Sequence, residues 1–416
     1  MGYIIAAIGI LFTICFSYQF FYVLVGLFKK PVVFEEGKPH RFAVITSARN
    51  EADVIENLLN SINAQTYPKE LMDVYVIADN CDDNTAEISR KCGAIVYERF
   101  NKKQIGKGYA LDFLFGEIHK KLGEDYYDGY FVFDSDNLLE PDFIEQMNKT
   151  FSAGYKVVTS YRNSKNYGTN WISSGYALWF LREAKYLSNA RMILGTSCAI
   201  SGTGFLIHRD MLKKRNGWKY FLLTEDIEFS IANIIDGEKI GYCHNAILYD
   251  EQPETFKQSW NQRLRWAKGF LQVFGKYGKR LMKGIFVNKN KFSCYDLSVT
   301  IFPLIFLTMI TFLLYVAMIV KSVVTGDPAL WAQILGAAEA VAGAYGTFFL
   351  MGLVTVITEW NYINCTTPRK IISLFTFPIY MFTWIPIGIV ALFKKVEWTP
   401  IKHSVNKNVD DMKIKK

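Results

Sequence analysis

The sequence predicts an α/β domain with a mostly parallel sheet, inserted between transmembrane α-helices. Three observations predict it. Residues 36–255 alternate between strand-like and helix-like patterns. Residues 3–28 carry no charge at all. Three further apolar stretches come late, at about 295–320, 330–357 and 371–393. Strands alternating with helices give a sheet covered on both faces, and about 20 apolar residues are enough to cross a bilayer.

The composition agrees. The 416 residues are 50% hydrophobic, 16% aromatic and only 21% charged, which is apolar for a soluble chain of this length and leaves room for about two or three domains. The net charge of +8 suits an anionic phospholipid surface. No RNA- or DNA-binding motif occurs, so nucleic acid is not an expected partner. Seven cysteines are scattered with no CxxC pair, which reads as free thiols on a reducing side. Five histidines are dispersed without zinc-site spacing.

Residues 1–30 form the first element, an N-terminal anchor. Lys29 and Lys30 follow the apolar run at once, whereas a cleavable signal places its basic residues before a shorter core. The positive-inside tendency then puts the following domain in the cytoplasm of a multi-pass cell-membrane protein. The α/β domain spans 36–255, interfacial amphipathic helices 256–293, a membrane region 294–393 and a basic tail 394–416. Glu339 lies inside an apolar stretch, either lining a channel, or paired within a helix bundle or near its outer edge. Four full crossings would place both termini outside, yet the tail is rich in lysine. Pro378 and Pro386 interrupt the last stretch, so part of it is expected to be interfacial or re-entrant.

Within the α/β domain, FAVIT (42–46), VYVIA (74–78), AIVYE (94–98) and GYFVFDSD (129–136) read as strands. A helix follows the first, with Val54, Ile55, Leu58, Leu59 and Ile62 on one face. Ligands bind at the carboxyl ends of such strands, and the chemistry-bearing motifs lie there. SARNE (47–51) turns into a helix whose N-terminus favours phosphate, or Asn50 and Glu51 simply cap it. In ADNCDDNTAE (78–87), Asp79 is placed to accept hydrogen bonds from a base or ribose, and the rest is turn and capping chemistry. Lys107, in GKGYALDFL (106–114), suits a phosphate or a buried acid, or is solvated. FDSDN (133–137) ends an apolar strand with Asp134 and Asp136, whose repulsion a divalent Mg or Mn would relieve; a plain turn is the alternative. TEDIE (224–228) offers Asp226 as a base for an attacking hydroxyl, or a helix start capped by Thr224. QRLRW (262–266) opens a basic amphipathic run suited to a membrane surface.

The order SARNE, ADNCDD, GKG, FDSDN, SGTGF, TED and QRLRW resembles membrane-integrated, inverting glycosyltransferases of family 2. The pattern is most similar to the processive synthases of poly-N-acetylglucosamine, cellulose, chitin and hyaluronan. It covers about residues 40–270. The resemblance implies a Rossmann-like GT-A domain and a UDP-sugar donor, UDP-GlcNAc or UDP-glucose. Ala48, Glu51, Asp79, Lys107 and Asp134 would contact the donor, and Asp134 and Asp136 would hold the metal. Asp226 would be the catalytic base. Gln262, Arg265 and Trp266 match the QxxRW motif; with Glu225 and Gly202 of SGTGF (201–205) they fall on the acceptor side. KKVEWTP (394–400) resembles the basic-Trp segment after the last membrane helix of such synthases. The acceptor would be a growing polysaccharide, exported as it forms. A single addition to a lipid and a catalytically silent membrane scaffold are the alternatives, and an accessory subunit is an open expectation.

Overall fold

The eight described strands are β1 (Phe42–Ala48), β2 (Met72–Asp79), β3 (Ile95–Arg99), β4 (Gly129–Asp134), β5 (Leu138–Leu139), β6 (Val157–Ser164), β7 (Phe205–His208) and β8 (Ile240–Asp250). They form one sheet in the order β3-β2-β1-β4-β7-β6-β8-β5. The structure, a computed structural model, describes residues 2–301, 304–401, 403 and 405–412. Residues 302–303 of the expected 295–320 stretch, and 402, 404 and 413–416 of the expected basic tail, lie outside the described residues.

The first half of the sheet is parallel, as the alternation predicts. β1 pairs in parallel with β2 and β4, and β2 with β3. β1 and β4 are apolar runs because both faces are covered. Ala43, Ile45, Tyr130 and Val132 enter one core, while Phe42, Val44, Phe131 and Phe133 enter the other. The second half departs from a mostly parallel sheet. β7 runs antiparallel between β4 and β6, and β5 antiparallel to β8. Chain order explains this. A tight turn at Gly202 and Gly204, both at positive φ, feeds β7 beside β4, where Gly204 N donates to Val132 O at 2.9 Å.

The expected helix after β1 begins later than its motif, at Ile55–Asn63. Asn50 at φ 58° breaks the chain, so Asn50 and Glu51 do not cap the helix with their side chains. Its apolar face is buried as predicted, with Val54, Ile55, Leu58, Leu59 and Ile62 at most 1% exposed.

Four helical stretches among the described residues are long and apolar enough to cross a membrane: Tyr3–Phe28, Leu307–Thr325, Leu330–Thr358 and Thr367–Phe393. The last breaks at Thr383 into Thr367–Phe382 and Trp384–Phe393. Glu339 agrees with a place near the outer edge of the bundle rather than with a channel lining. It is exposed on its helix, lines no cavity and makes no ion pair among the described residues. Buried polar contacts fix the membrane helices to the α/β domain. Asp296 accepts from Tyr18 and Tyr22 of the first helix at 2.9 and 2.8 Å, and from Arg191 Nε and Nη2 at 2.7 Å each. Glu359, at the end of Leu330–Thr358, accepts from Tyr161 of β6 and lies 3.6 Å from Lys185. Such pairs set geometry more than stability, because desolvation offsets most of their Coulomb gain.

Candidate active site

The order β2-β1-β4 reverses the direction of chain progression at β1, and the crevice at that switch point is where open sheets bind ligands. Ser47 is in register with Asp134, and Ala48 with Ala78 beside Asp79. Ala48, Glu51, Asp79, Asp134 and Asp136 therefore line one cavity of about 1690 Å³. The same cavity is lined by Lys107, Gly202, Glu225, Asp226, Gln262, Arg265 and Trp266, so every residue singled out from the motifs reaches it. It continues between the apolar helices, where residues such as Phe12, Phe312 and Val341 form its wall.

Lys107 joins the two sides of the site. It starts the helix Lys107–Leu122, and its Nζ lies 2.5 Å from Asp134 Oδ1 and 2.7 Å from Gly202 O. The alternative of a solvated lysine does not hold: the side chain is only 12% exposed. Gly108 beside it tolerates no side chain, since a Cβ there would meet Tyr220 O at 2.2 Å. At Gly202 a Cβ would lie 3.7 Å from Asp226 Oδ2, which puts the SGTGF turn against the TED acids.

Asp226 and Glu225 open the helix Glu225–Ile235. Thr224 precedes it but makes no side-chain cap. Burial holds the carboxyl of Asp226 above the usual carboxylate range, against the nearby helix N–H groups and Lys107. Glu225 is raised too, first by burial and then by Asp226, with Lys107 and Arg265 opposing.

The helix Phe256–Val287 carries QRLRW. Gln262 Oε1 and Arg265 Nε are buried and have no hydrogen-bond partner among the described residues. Trp266 lies 6.4 Å from Trp384 in a near-parallel stack, with Tyr176 and Phe180 edge-on at 5.7 and 6.2 Å.

Several partners were not foreseen. Asp79 is paired with Arg99 at 2.5 Å. Arg162 binds Asp250 through Nε at 2.9 Å, donates to Ser201 O at 2.9 Å and lies 3.8 Å over the Phe180 ring. Asp250 also accepts from Asn137 Nδ2 at 2.9 Å, and Asp136 from Glu251 N at 2.9 Å. Part of the segment expected as a basic tail lines the cavity. Trp398 stacks under Arg49 at 5.4 Å, His403 Nδ1 lies 3.2 Å from Glu51 Oε2, and Val405 N donates to Glu251 Oε2 at 3.1 Å. Trp398 in its basic context was the available signal; its destination was not written locally.

No group of three His, Cys, Asp or Glu side chains poised for a metal occurs among the described residues. The donor set still fits Mg or Mn. These hard cations are commonly held by one or two carboxylates plus substrate phosphates, and Asp134 keeps 36% of its side chain open to the cavity.

The model of "Glycosyltransferase like family 2" matches residues 39–269, more than half of the chain. The chain belongs to glycosyltransferase family 2. Its curated relatives include a probable glycosyltransferase, YdaM, of Bacillus subtilis, 25% identical over 63% of this chain and 65% of that one. A poly-beta-1,6-N-acetyl-D-glucosamine synthase of Staphylococcus epidermidis is 25% identical over 54% of this chain and 53% of its own. A beta-monoglucosyldiacylglycerol synthase of Synechocystis is 24% identical over 56% and 48%. The matches thus span about half to two thirds of these relatives' lengths. Among solved structures, the mannosyltransferase PcManGT of Pyrobaculum calidifontis, in complex with GDP-Man and Mn2+, aligns over 94% of this chain and 99% of that one. Its TM-score is 0.61 at 16% identity, which shows a shared fold. This member of glycosyltransferase family 2 therefore has a GT-A-like domain flanked by apolar helices.

Proposed function

We propose that this glycosyltransferase moves a sugar from a UDP-sugar, UDP-GlcNAc or UDP-glucose, to a hydroxyl of a growing polysaccharide at the membrane, inverting the anomeric centre. The observation that carries this is convergence. The ends of β1, β2 and β4, the TED acids and QxxRW all face one cavity that continues between the apolar helices.

In this reading Ala48, Glu51 and Asp79 hold the nucleoside, and Lys107 orders Asp134 beside the diphosphate. The acceptor hydroxyl attacks the anomeric carbon while Asp226 takes its proton. The bond to the diphosphate oxygen breaks on the opposite face, and its electron pair leaves with the nucleotide. Arg265, whose Nε donor is still unpaired, receives that growing charge, and Gln262 beside it would help through its amide nitrogen. Trp266 stacks on the acceptor ring. Asp134 and Asp136 would hold Mg or Mn, which supplies further neutralisation of the leaving diphosphate. Lys29 and Lys30 after the first helix favour a cytosolic catalytic domain of a multi-pass membrane protein, working alone or with an accessory subunit.

One observation favours a second reading, a lipid acceptor. The wall of the cavity between the apolar helices carries no Asp, Glu, Lys, Arg or His side chain among the described residues. The test uses the purified protein in lipid with Mg or Mn and a panel of radiolabelled UDP-sugars, reading UDP release and product size. High-molecular-weight product from one donor supports polysaccharide extension. A small lipid-extractable product moves the reading to the lipid acceptor. UDP release from none of the donors overturns the assigned donor class.

A further inference from the structure

We propose that Arg182 and Glu183, with Gln19 of the first membrane helix, form a second polar subsite of the cavity that positions the acceptor through hydrogen bonds to its hydroxyls. The proposal rests on the transfer reaction above and holds for a sugar chain or a hydroxylated lipid headgroup alike.

The local backbone is unusual. The α-helix Trp171–Arg182 runs into one π-helical turn, Glu183–Ser188, before resuming as Asn189–Ile193. Such turns are rare and concentrate at functional sites. Most of this one is accounted for by packing. Lys185 faces Glu359 at 3.6 Å, Tyr186 Oη bonds Thr358 Oγ1 at 2.6 Å, and Leu187 packs with Tyr22 and Ala190. Glu183 is the exception. Its carboxylate lines the cavity and accepts no hydrogen bond among the described residues.

Three arginines surround Glu183 electrostatically: Arg162, Arg191 and Arg182. Arg162 is engaged by Asp250, and Arg191 by Asp296. Arg182 has no such carboxylate. It is 5% exposed, donates to Gln19 Oε1 at 2.7 Å and lies 5.3 Å over the Trp179 ring. Burial pushes its guanidinium down to about 10. Arg182, Glu183, Gln19 and Trp179 all line the cavity. Glu183 is partly open to the cavity, and a ligand rich in hydroxyls can both donate to Glu183 and accept from Arg182.

The place is on the acceptor side. Phe180, in the preceding turn, faces Trp266 at 6.2 Å. After burial, and against the three arginines, Asp226 also acts on Glu183, raising its carboxyl. Gln19 brings in the first membrane helix, so the subsite lies where an acceptor would pass from Asp226 towards the lipid.

The experiment uses full-length protein in lipid with its preferred UDP-sugar. It reads UDP affinity, total UDP release, and the partition of donor sugar between glycosylated product and free monosaccharide. Glu183→Gln is expected to bind UDP as the wild type does, while the free-monosaccharide share rises about tenfold. Water then replaces a poorly held acceptor. Arg182→Lys, which keeps the charge and loses the planar fork, is expected to shift the partition the same way and decides the matter if Glu183→Gln fails to fold. An unchanged partition, or UDP affinity lost in step with transfer, overturns the subsite. A wild-type protein that releases no UDP from any UDP-sugar overturns the parent reading instead, so the two failures are separable.

Discussion

Gly269 sits where the QxxRW helix crosses the start of the TED helix. A Cβ there would lie 2.5 Å from both Thr224 Cγ2 and Oγ1, and 2.9 Å from Thr224 Cβ. Carbon atoms rest at about 3.5–4.0 Å, so Gly269→Ala must open this contact by about 1 Å. Stability changes little. Alanine gains about 1 kcal/mol over glycine within a helix, and overpacking costs about 1–3 kcal/mol, leaving a net loss of about 0–2 kcal/mol. Activity suffers more, because Thr224 directly precedes Glu225 and Asp226. A displacement of about 1 Å costs on the order of 10²-fold in rate, or about 2.7 kcal/mol of barrier. The assay is UDP release at saturating donor, alongside a thermal midpoint. Adding Thr224→Ala removes both atoms at 2.5 Å, and Thr224 Oγ1 has no hydrogen-bond partner among the described residues to lose. The double variant is expected to recover about tenfold over Gly269→Ala. A kcat for Gly269→Ala within about threefold of wild type, or a double variant no faster than the single, refutes this account of how the two helices register.

Three other outcomes are expected. Burial raises Asp226, so kcat should fall with decreasing pH at values above the usual carboxylate range, as the base gains its proton. Glu225→Gln removes a neighbouring negative charge and should move that acid limb to lower pH; a limb that stays or rises in the kcat–pH profile contradicts the coupling. The two arginines of QRLRW should separate in effect. Arg263 donates to Thr383 Oγ1 at 2.6 Å and lies 4.5 Å over the Tyr380 ring. Arg263→Ala should cost about 2–3 kcal/mol of stability, read as a lower melting temperature. Arg265→Ala should melt like wild type and lose about 10²–10³-fold in kcat; equal melting losses would defeat the distinction. Finally, Asp136→Ala should abolish turnover that depends on Mg or Mn, and sustained turnover of that variant in EDTA would sink the metal assignment.

What was legible in the sequence follows from what is local. β1, β2 and β4 could be read because strands buried on both faces are apolar runs, and the edge strand β3 from its β-branched and aromatic residues. β5 is two residues long and β7 four, too short for periodicity. β6 ends in the polar run SYRNS, which hides it. The motif residues were legible because each lies at a strand end or helix start, where composition changes abruptly. Their partners were not. Arg162 and Asp250 are 88 positions apart, and His403 and Glu51 are 352 apart. No periodicity reports a contact of that separation. Arg99, 20 positions from Asp79, is set by the parallel register of β2 and β3, which pairs the two residues directly.

The spacing of QxxRW itself has a geometric reason. On a helix, positions i, i+3, i+4 and i+7 share one face. Gln262, Arg265, Trp266 and Gly269 are those four positions. The first three line the cavity, and Gly269 seats the face against Thr224. The two intervening residues point elsewhere. Arg263 is fully buried against Tyr380 and Thr383, and Leu264 packs on Ile387 and Ala391. Both of those contacts belong to the last apolar stretch. One helix therefore presents polar groups to the cavity that Glu225 and Asp226 also line, while its adjoining face packs on the last apolar stretch. The x positions of the motif are free with respect to the cavity and constrained by the membrane helices. That is why a basic run resembling a surface helix also carries the residues that complete the site.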